Sequence, residues 1–495
     1  MVQAPRKIAT EELAKLAIDK IRQAGCEYGE IRLCNYRTRR LMARDRSLSR
    51  LSDDISSGFG VRVLHNGAWG FAASHRKTSE EIARIVALAV DIAKGSHLTQ
   101  AEPVKLVPVA AYQDTYISPI EIDPFEISIE EKAKLLLDIN EKLLAYEDKG
   151  IKKAYSFLTF TKEEKTFAST VGSLIKQTIY RSYPGYGCTA IKNGDAQSRS
   201  YDRPPLNIGY EHIDKQDLLS NIDRVANEAI EKVDAPEAPS GIRTNLILKP
   251  SNLFLTIHES VGHPTELDRV YGYEANFAGT SFATTDKLNK LQYGAPWVNF
   301  VADRTQPHGR STLGYDDEGV PAQKWYVVKD GILVDYLTDR ETAYRLGRSS
   351  SNGSAYADSW SSVPMVRIPN LGLEAGKAGG SHTASLEQMI ADTEEGILID
   401  GIGSFSIDQQ RRNFQFGGDA FWKVEKGKIV GMLKNVTYHS MTTDFWNSID
   451  AIGGEDEWEQ CGANMCGKGE PIQIAQMTHA CVPVRAKDIQ IGRTN

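Results

Sequence analysis

LKPSNLFLTIHESVGHPTE, residues 248 to 266, is the stretch on which the reading of this chain turns. It opens as a strand end and continues as a helix, with Pro250 near the first turn and apolar residues at 253, 254, 257 and 261. Inside it His258, Glu259 and His263 spell H-E-x-x-x-H, one residue longer than the helical H-E-x-x-H of zinc proteases. At about 100° per residue, positions five apart point about 140° away from each other, so a regular helix would separate the two imidazoles. Two devices would bring them together: a π-bulge, with its i→i+5 bonding, or a break at Gly262, where an unusual backbone angle costs little. Pro264 disfavours α conformation at His263, so the helix is expected to end there.

Neutral imidazoles are good zinc ligands, and a catalytic zinc takes three protein ligands and leaves a position for water. Glu259, adjacent to the first ligand, could take the proton from that water as it attacks a carbonyl. The plainer alternative is a helix end with two partly exposed histidines and a surface glutamate. His65, His75, His97, His212, His308, His382 and His439 each stand without an obvious second ligand beside them and read as ordinary surface or core residues. The other concentration of ligand types is CGANMCGKGEP, with THAC just downstream. A thiolate with two imidazoles would favour zinc over magnesium or calcium. Cys461, Cys466, His479 and Cys481 could also make a separate structural site, although C-x₄-C…H-x-C fits no usual spacing. Locally, the third ligand stays open.

Length and composition bound the rest. A chain of 495 residues predicts two or three domains. A net charge of −7 gives no support for a nucleic-acid or anionic-membrane partner, and no apolar run reaches about 18 residues, so no membrane span is expected. The beginning, MVQAPRKIATEELAKLA, lacks the apolar core of a signal peptide. Six cysteines, spaced unlike a disulfide framework, point to a reducing, cytoplasmic compartment.

The class is α+β. Helical periodicity over 11–24 stops at Gly25, strand-like runs follow at 29–36 and 40–47, and Asn66-Gly67 within VRVLHNGAWGFAA signals a hairpin. Thr78 with Glu81 and Ser128 with Glu131 open two further helices; 153–210 reads as an antiparallel meander and 215–232 as helix. DAPEAPSG, residues 234–241, is the domain boundary. It leaves an N-terminal helix-and-antiparallel-sheet domain (1–235) and a strand-rich, mostly antiparallel C-terminal domain (242–495) carrying the metal-site helix. Asp330-Gly331, Glu395-Gly396 and Lys426-Gly427 are read as turns, and SSSNGS (349–354) and GKAGGS (376–381) as mobile loops. GYGCTA (185–190) matches a nucleotide fingerprint in letters but opens no helix, GKAGGS lacks the Ser/Thr of a phosphate loop, and Ser260 lacks the glycine of a nucleophile elbow.

With these segments in hand, the chain resembles the TldD/PmbA metallopeptidase family, on the TldD-like side. The resemblance runs through SGFGVRVLHNGAWGFAA, HESVGHPTELDRVYGYEANFAGTSF, GYDDEGVPAQK and MCGKGEP. PmbA-like (TldE) subunits typically lack H-E-x-x-x-H, which this chain keeps. The resemblance implies that His258, His263 and Cys466 are the metal ligands and Glu259 the general base, with no family role for Cys461 or Cys481. Where many members read small-x-Glu-Gly-Asp, this chain has Pro264-Thr265-Glu266-Leu267-Asp268, keeping both acids but not the glycine. It further implies a Zn²⁺-dependent peptidase acting on peptides or unfolded polypeptides, as a homodimer or a heterodimer with a PmbA-like subunit. The competing expectation is a non-catalytic scaffold or regulatory subunit whose metal site is structural or empty.

Overall fold

The computed structural model describes residues 9–494; the first eight residues, part of the stretch read as lacking a signal peptide, lie outside the described residues. The chain opens with α1 (Thr10–Gln23), β1 (Tyr28–Arg44), β2 (Ser47–His65), β3 (Ala68–Ser74), α2 (Ser79–His97), β4 (Gln113–Ile117) and α3 (Ile129–Leu144). Then come β5 (Ile151–Ser169), β6 (Leu174–Lys192), β7 (Asp195–Asp202), α4 (Lys215–Ser220) and α5 (Ile222–Asp234). The strands form one sheet in the order β3-β2-β1-β5-β6-β4, with β7 also on β6. Asn66 and Gly67 both take positive φ, 51° and 71°, as the predicted two-residue hairpin requires. GYGCTA lies inside β6 and opens no helix.

Three readings change here. The runs at 29–36 and 40–47 are not two strands: β1 is continuous to Arg44, and its arginine-rich middle is tolerated because Arg37 and Arg39 pair across to Asp53 on β2. The 215–232 helix breaks at Asn221, where the Asp214-capped α4 ends and α5 begins. The sheet is not wholly antiparallel, because β4 joins β6 in parallel.

Beyond residue 241 the chain is strand-rich, as expected. Strand β8 (Ile242–Leu248) lies inside a nine-stranded sheet, antiparallel to Val484–Arg493 and parallel to Glu395–Asp400. Glu395-Gly396 is therefore in a strand and not a turn, whereas Asp330-Gly331 and Lys426-Gly427 are turns with positive φ at both residues. SSSNGS is tied down rather than mobile: Asn352 accepts from the Thr338 amide at 2.9 Å and donates to Tyr336 O at 2.6 Å. The two halves meet through buried ion pairs, among them Arg62–Glu318 and Lys165–Asp317, both at 2.7 Å, and Arg199–Asp419 at 2.8 Å.

Helix α6 (Pro250–Ile257) leaves the end of β8 with Pro250 in its first turn and buries Leu253, Phe254, Leu255 and Ile257. It does not stop at His263. A π-turn over His258–Gly262 is followed by a 3₁₀ turn over His263–Thr265, and His263 itself stays in α conformation at φ −62° and ψ −42°. Of the two devices the sequence offered, the chain uses the π-turn. Gly262 is not a hinge: its φ is −59°. Its value lies in packing, since a Cβ there would stand 2.7 Å from the Cδ1 of buried Ile368. Gly262→Ala is therefore expected to cost about 1–3 kcal/mol through overpacking, measured by chemical denaturation. Ile368→Val, which removes that Cδ1, should restore most of the loss in the double variant.

Candidate metal centre

The π-turn has a local chemical cause. In an α-helix the amide of residue 264 would bond the carbonyl of residue 260, but Pro264 has no N–H. The Tyr293 hydroxyl takes that place, donating to Ser260 O at 2.5 Å. Thr265 Oγ1 collects the next two carbonyls, Val261 O at 2.7 Å and Gly262 O at 3.0 Å. Ser260 is wholly structural: its hydroxyl donates to Thr256 O and accepts from Trp446 Nε1. With the His263 amide bonded to His258 O, the two imidazoles come together, ring centroids 4.7 Å apart and planes at 78°.

Cys466 completes the group. It lies on the strand Glu459–Lys468, at an irregularity in its pairing with Gln473–Cys481 between Ala463 and Cys466. Its Sγ stands 3.4 Å from His263 Nε2. The ligand atoms of His258, His263 and Cys466 all lie within 4.8 Å of one another, and all three residues are buried. Metal bonds of about 2.0–2.3 Å would set tetrahedral donors about 3.3–3.6 Å apart, so the spacing suits one ion. Cys461, Cys481 and His479 are not in the group, and no separate metal cluster forms around them among the described residues.

Hydrogen-bond partners assign the tautomers. His479 Nδ1 is 2.8 Å from Leu371 O, which can only accept, so His479 carries its proton there and offers Nε2 as an acceptor. His258 Nδ1, 2.8 Å from that Nε2, must then donate, which frees His258 Nε2 for a metal. His263 Nδ1 donates to Glu266 Oε2 at 2.8 Å and frees its own Nε2 in the same way. Burial pushes all three imidazoles below their ordinary pKa. Burial would raise the Cys466 thiol, but the charges of His263 and Arg367 outweigh it and hold it below its usual value. Arg367 Nη2 donates to that sulfur at 2.9 Å. Burial would likewise raise Glu266, yet Lys468, His263 and Arg269 keep it well below the ordinary carboxylate range. The donor set is thus two imidazoles, each with Nε2 turned to the group, and the Cys466 sulfur.

Glu259 projects from the π-turn and pairs with Arg411 Nη1 at 2.5 Å. Sequence reasoning named Glu259 but neither Arg411 nor Arg367. It noticed His479 only as one of a concentration of ligand types and gave it no role at His258. The signal for His479 was its place two residues before Cys481 on the strand facing Cys461; nothing local marks the two arginines.

Three family models match the chain: PmbA/TldA metallopeptidase domain 1 over residues 29–93, the central domain over 122–235 and the C-terminal domain over 241–492. A metalloprotease of Methanocaldococcus jannaschii is 29% identical over 459 residues, covering 92% of this chain and 96% of that one. A zinc metalloprotease TldD homolog of Saccharolobus solfataricus is 23% identical over 488 residues, covering 96% and 98%. Among solved structures, TldE from Thermococcus kodakarensis has the same fold, with a TM-score of 0.72 at 16% identity, covering 98% of this chain and 100% of that one.

The tautomer relay can be tested at its far end. His479→Phe keeps an aromatic ring beside Phe254 but removes the acceptor that fixes His258. Metal affinity, measured by competition with a chelating dye, is expected to fall about 10- to 100-fold, with the fold intact by circular dichroism.

Proposed function

The chain belongs to the PmbA/TldD metallopeptidase family, and we propose that it is a zinc-dependent peptidase cleaving extended or unfolded polypeptides. His258, His263 and Cys466 would hold the ion and Glu259 would be the general base. The observation that carries this reading is the convergence of three buried, ligand-ready side chains next to a carboxylate. Zinc bound there supplies a Lewis acid that polarises a scissile carbonyl and acidifies water. The name borne by the Saccharolobus solfataricus relative agrees with that choice of ion.

The remaining chemistry lies in the chain's own residues. Glu259 takes a proton from the attacking water and delivers it toward the leaving amine. Arg411 holds the Glu259 carboxylate in place. His479 and Glu266 orient the two imidazoles, and Arg367 holds the Cys466 sulfur. Among the described residues, the strand Glu459–Lys468, which bears Cys466, pairs with Gln473–Cys481 alone. Its second edge would bind an extended peptide through main-chain hydrogen bonds, with loose sequence preference. We also propose that the working unit is a dimer, either of this chain or with a PmbA-like (TldE) subunit; a structural likeness to a TldE protein supports the second form.

Glu259→Gln is expected to hold zinc in parent stoichiometry while cleaving an unstructured polypeptide about 10²- to 10⁴-fold more slowly. Chelation should abolish cleavage by the parent and added zinc should restore it. A variant that cleaves as fast as the parent would remove the peptidase reading.

A further inference from the structure

Arg411 stands apart from the other basic residues around the centre. Arg367 gives its guanidinium to Cys466 O, Cys466 Sγ and Gln473 O. Lys468 gives its ammonium to both oxygens of Asp268 and to Val366 O. Arg269 donates to Ala278 O and Glu266. These three side chains are closed from solvent, at 0–1% exposure. Arg411 keeps 14% exposure and, among the described residues, makes one side-chain hydrogen bond, through Nη1 to Glu259. Its buried Nε has no partner, as is also true of Arg367 Nε and Arg269 Nη2, so the distinction lies in its exposure and in its contact with Glu259.

Its backbone is unusual as well. Arg411 lies between the strands Phe405–Ile407 and Asn413–Gly417 with φ at 61°, a left-handed conformation that costs a residue with a side chain about 1–2 kcal/mol. The surroundings over-determine it. The Asp408 carboxylate accepts from the amides of Arg412 and Asn413, at 2.9 and 3.0 Å. The Gln409 and Gln410 carbonyls accept from the Thr280 and Phe282 amides, and Thr442 Oγ1 donates to Arg411 O at 2.8 Å. Nine other non-glycine residues among those described also take positive φ, so it is the firm hold on a residue touching Glu259, rather than the φ itself, that points to a role in the reaction.

The charge movement in hydrolysis defines that role. As the water oxygen bonds to the carbonyl carbon, a water proton passes to Glu259 and the C=O π pair moves onto the carbonyl oxygen. Negative charge therefore leaves the one side chain that Arg411 contacts and appears on the substrate. A guanidinium offers five donors in a fixed fork, so with Nη1 on Glu259 the Nε–Nη2 edge is left for the new charge. We propose that Arg411 is a catalytic residue that donates to the tetrahedral oxyanion, a role that rests on the peptidase reading above. A donor held rigid before the charge develops needs no reorganisation when it does.

The test uses the zinc-loaded full chain, with zinc content measured for the parent, Arg411→Met and Arg411→Lys. Both variants keep a side chain at the same left-handed position, so backbone strain is unchanged. Arg411→Met should lower kcat on an unstructured peptide about 100- to 1,000-fold with KM little changed, and Arg411→Lys should fall between. A phosphinic peptide, whose tetrahedral phosphorus carries the oxyanion, should lose affinity by the same factor in calorimetry, while the product peptide binds as before. Retained phosphinate affinity alongside a lowered kcat would overturn the proposal, because Arg411 would then serve only to hold Glu259; an unchanged kcat would overturn it too. If Arg411→Met fails to hold zinc, Arg411→Lys, which keeps the charge and loses the fork, carries the comparison. A parent that cleaves nothing would sink the peptidase reading itself, whereas an active parent matched by its variants sinks the oxyanion role alone.

Discussion

Pro264 brings no N–H to the helix that carries both histidines, so the Ser260 carbonyl has no helical donor four residues on. A helix in that position can end, kink or widen. Here it widens, because the lost bond is replaced from outside by the Tyr293 hydroxyl, and the freed carbonyls that follow are gathered by Thr265. The wider turn puts residues 258 and 263 on one side and aims both imidazoles at Cys466. Gly262 then allows Ile368 to close over the turn. The approach of His258 and His263 to Cys466, and the packing around them, depend on that turn.

Two distant motifs are bound into one by charge. Glu266 and Asp268, three and five residues past His263, meet Lys468, two residues past Cys466, at 3.3 and 2.7 Å, with all three side chains buried. Arg269 and Arg367 add to the same cluster. Burying so many charges is stabilising only if each finds a partner, and breaking one pair leaves its mate uncompensated at a cost of about 3–5 kcal/mol. Glu266 must stay ionised to accept from His263 Nδ1, so Lys468 fixes a histidine tautomer from across the fold. The lysine of Cys-Gly-Lys thus serves the histidine motif rather than the cysteine beside it.

What the sequence disclosed divides along physical lines. Local signals were readable: the Asn66-Gly67 hairpin, the Ser128 cap, and the need for a π-turn or a break at Gly262 if His258 and His263 are to meet. Gly262 was read as conformational freedom because a glycine in sequence advertises φ, whereas its close contact with Ile368 exists only in three dimensions. Glu395-Gly396 resembled a turn until its parallel neighbour β8 drew it into the sheet. Arg367 and Arg411 were invisible because each reaches the centre from a loop or strand about 100 or more residues away from its partner. Cys466 was one candidate among several; only the family resemblance singled it out, since proximity to His263 across 203 residues leaves no trace in spacing.

The hydrogen bonds around the donor set also bear on how reactive a bound ion would be. Two imidazoles and one coordinated thiolate would bring a single negative charge to a divalent ion. Arg367 Nη2 donates to the sulfur, which would lessen what a coordinated thiolate gives and leave a bound ion more electrophilic. On the opposite side, Glu266 accepts from His263 Nδ1 and makes that imidazole a better donor. The two effects oppose each other. On the peptidase reading, such a centre would retain its ion through the histidines, while the guarded sulfur would preserve the Lewis acidity that carbonyl attack requires.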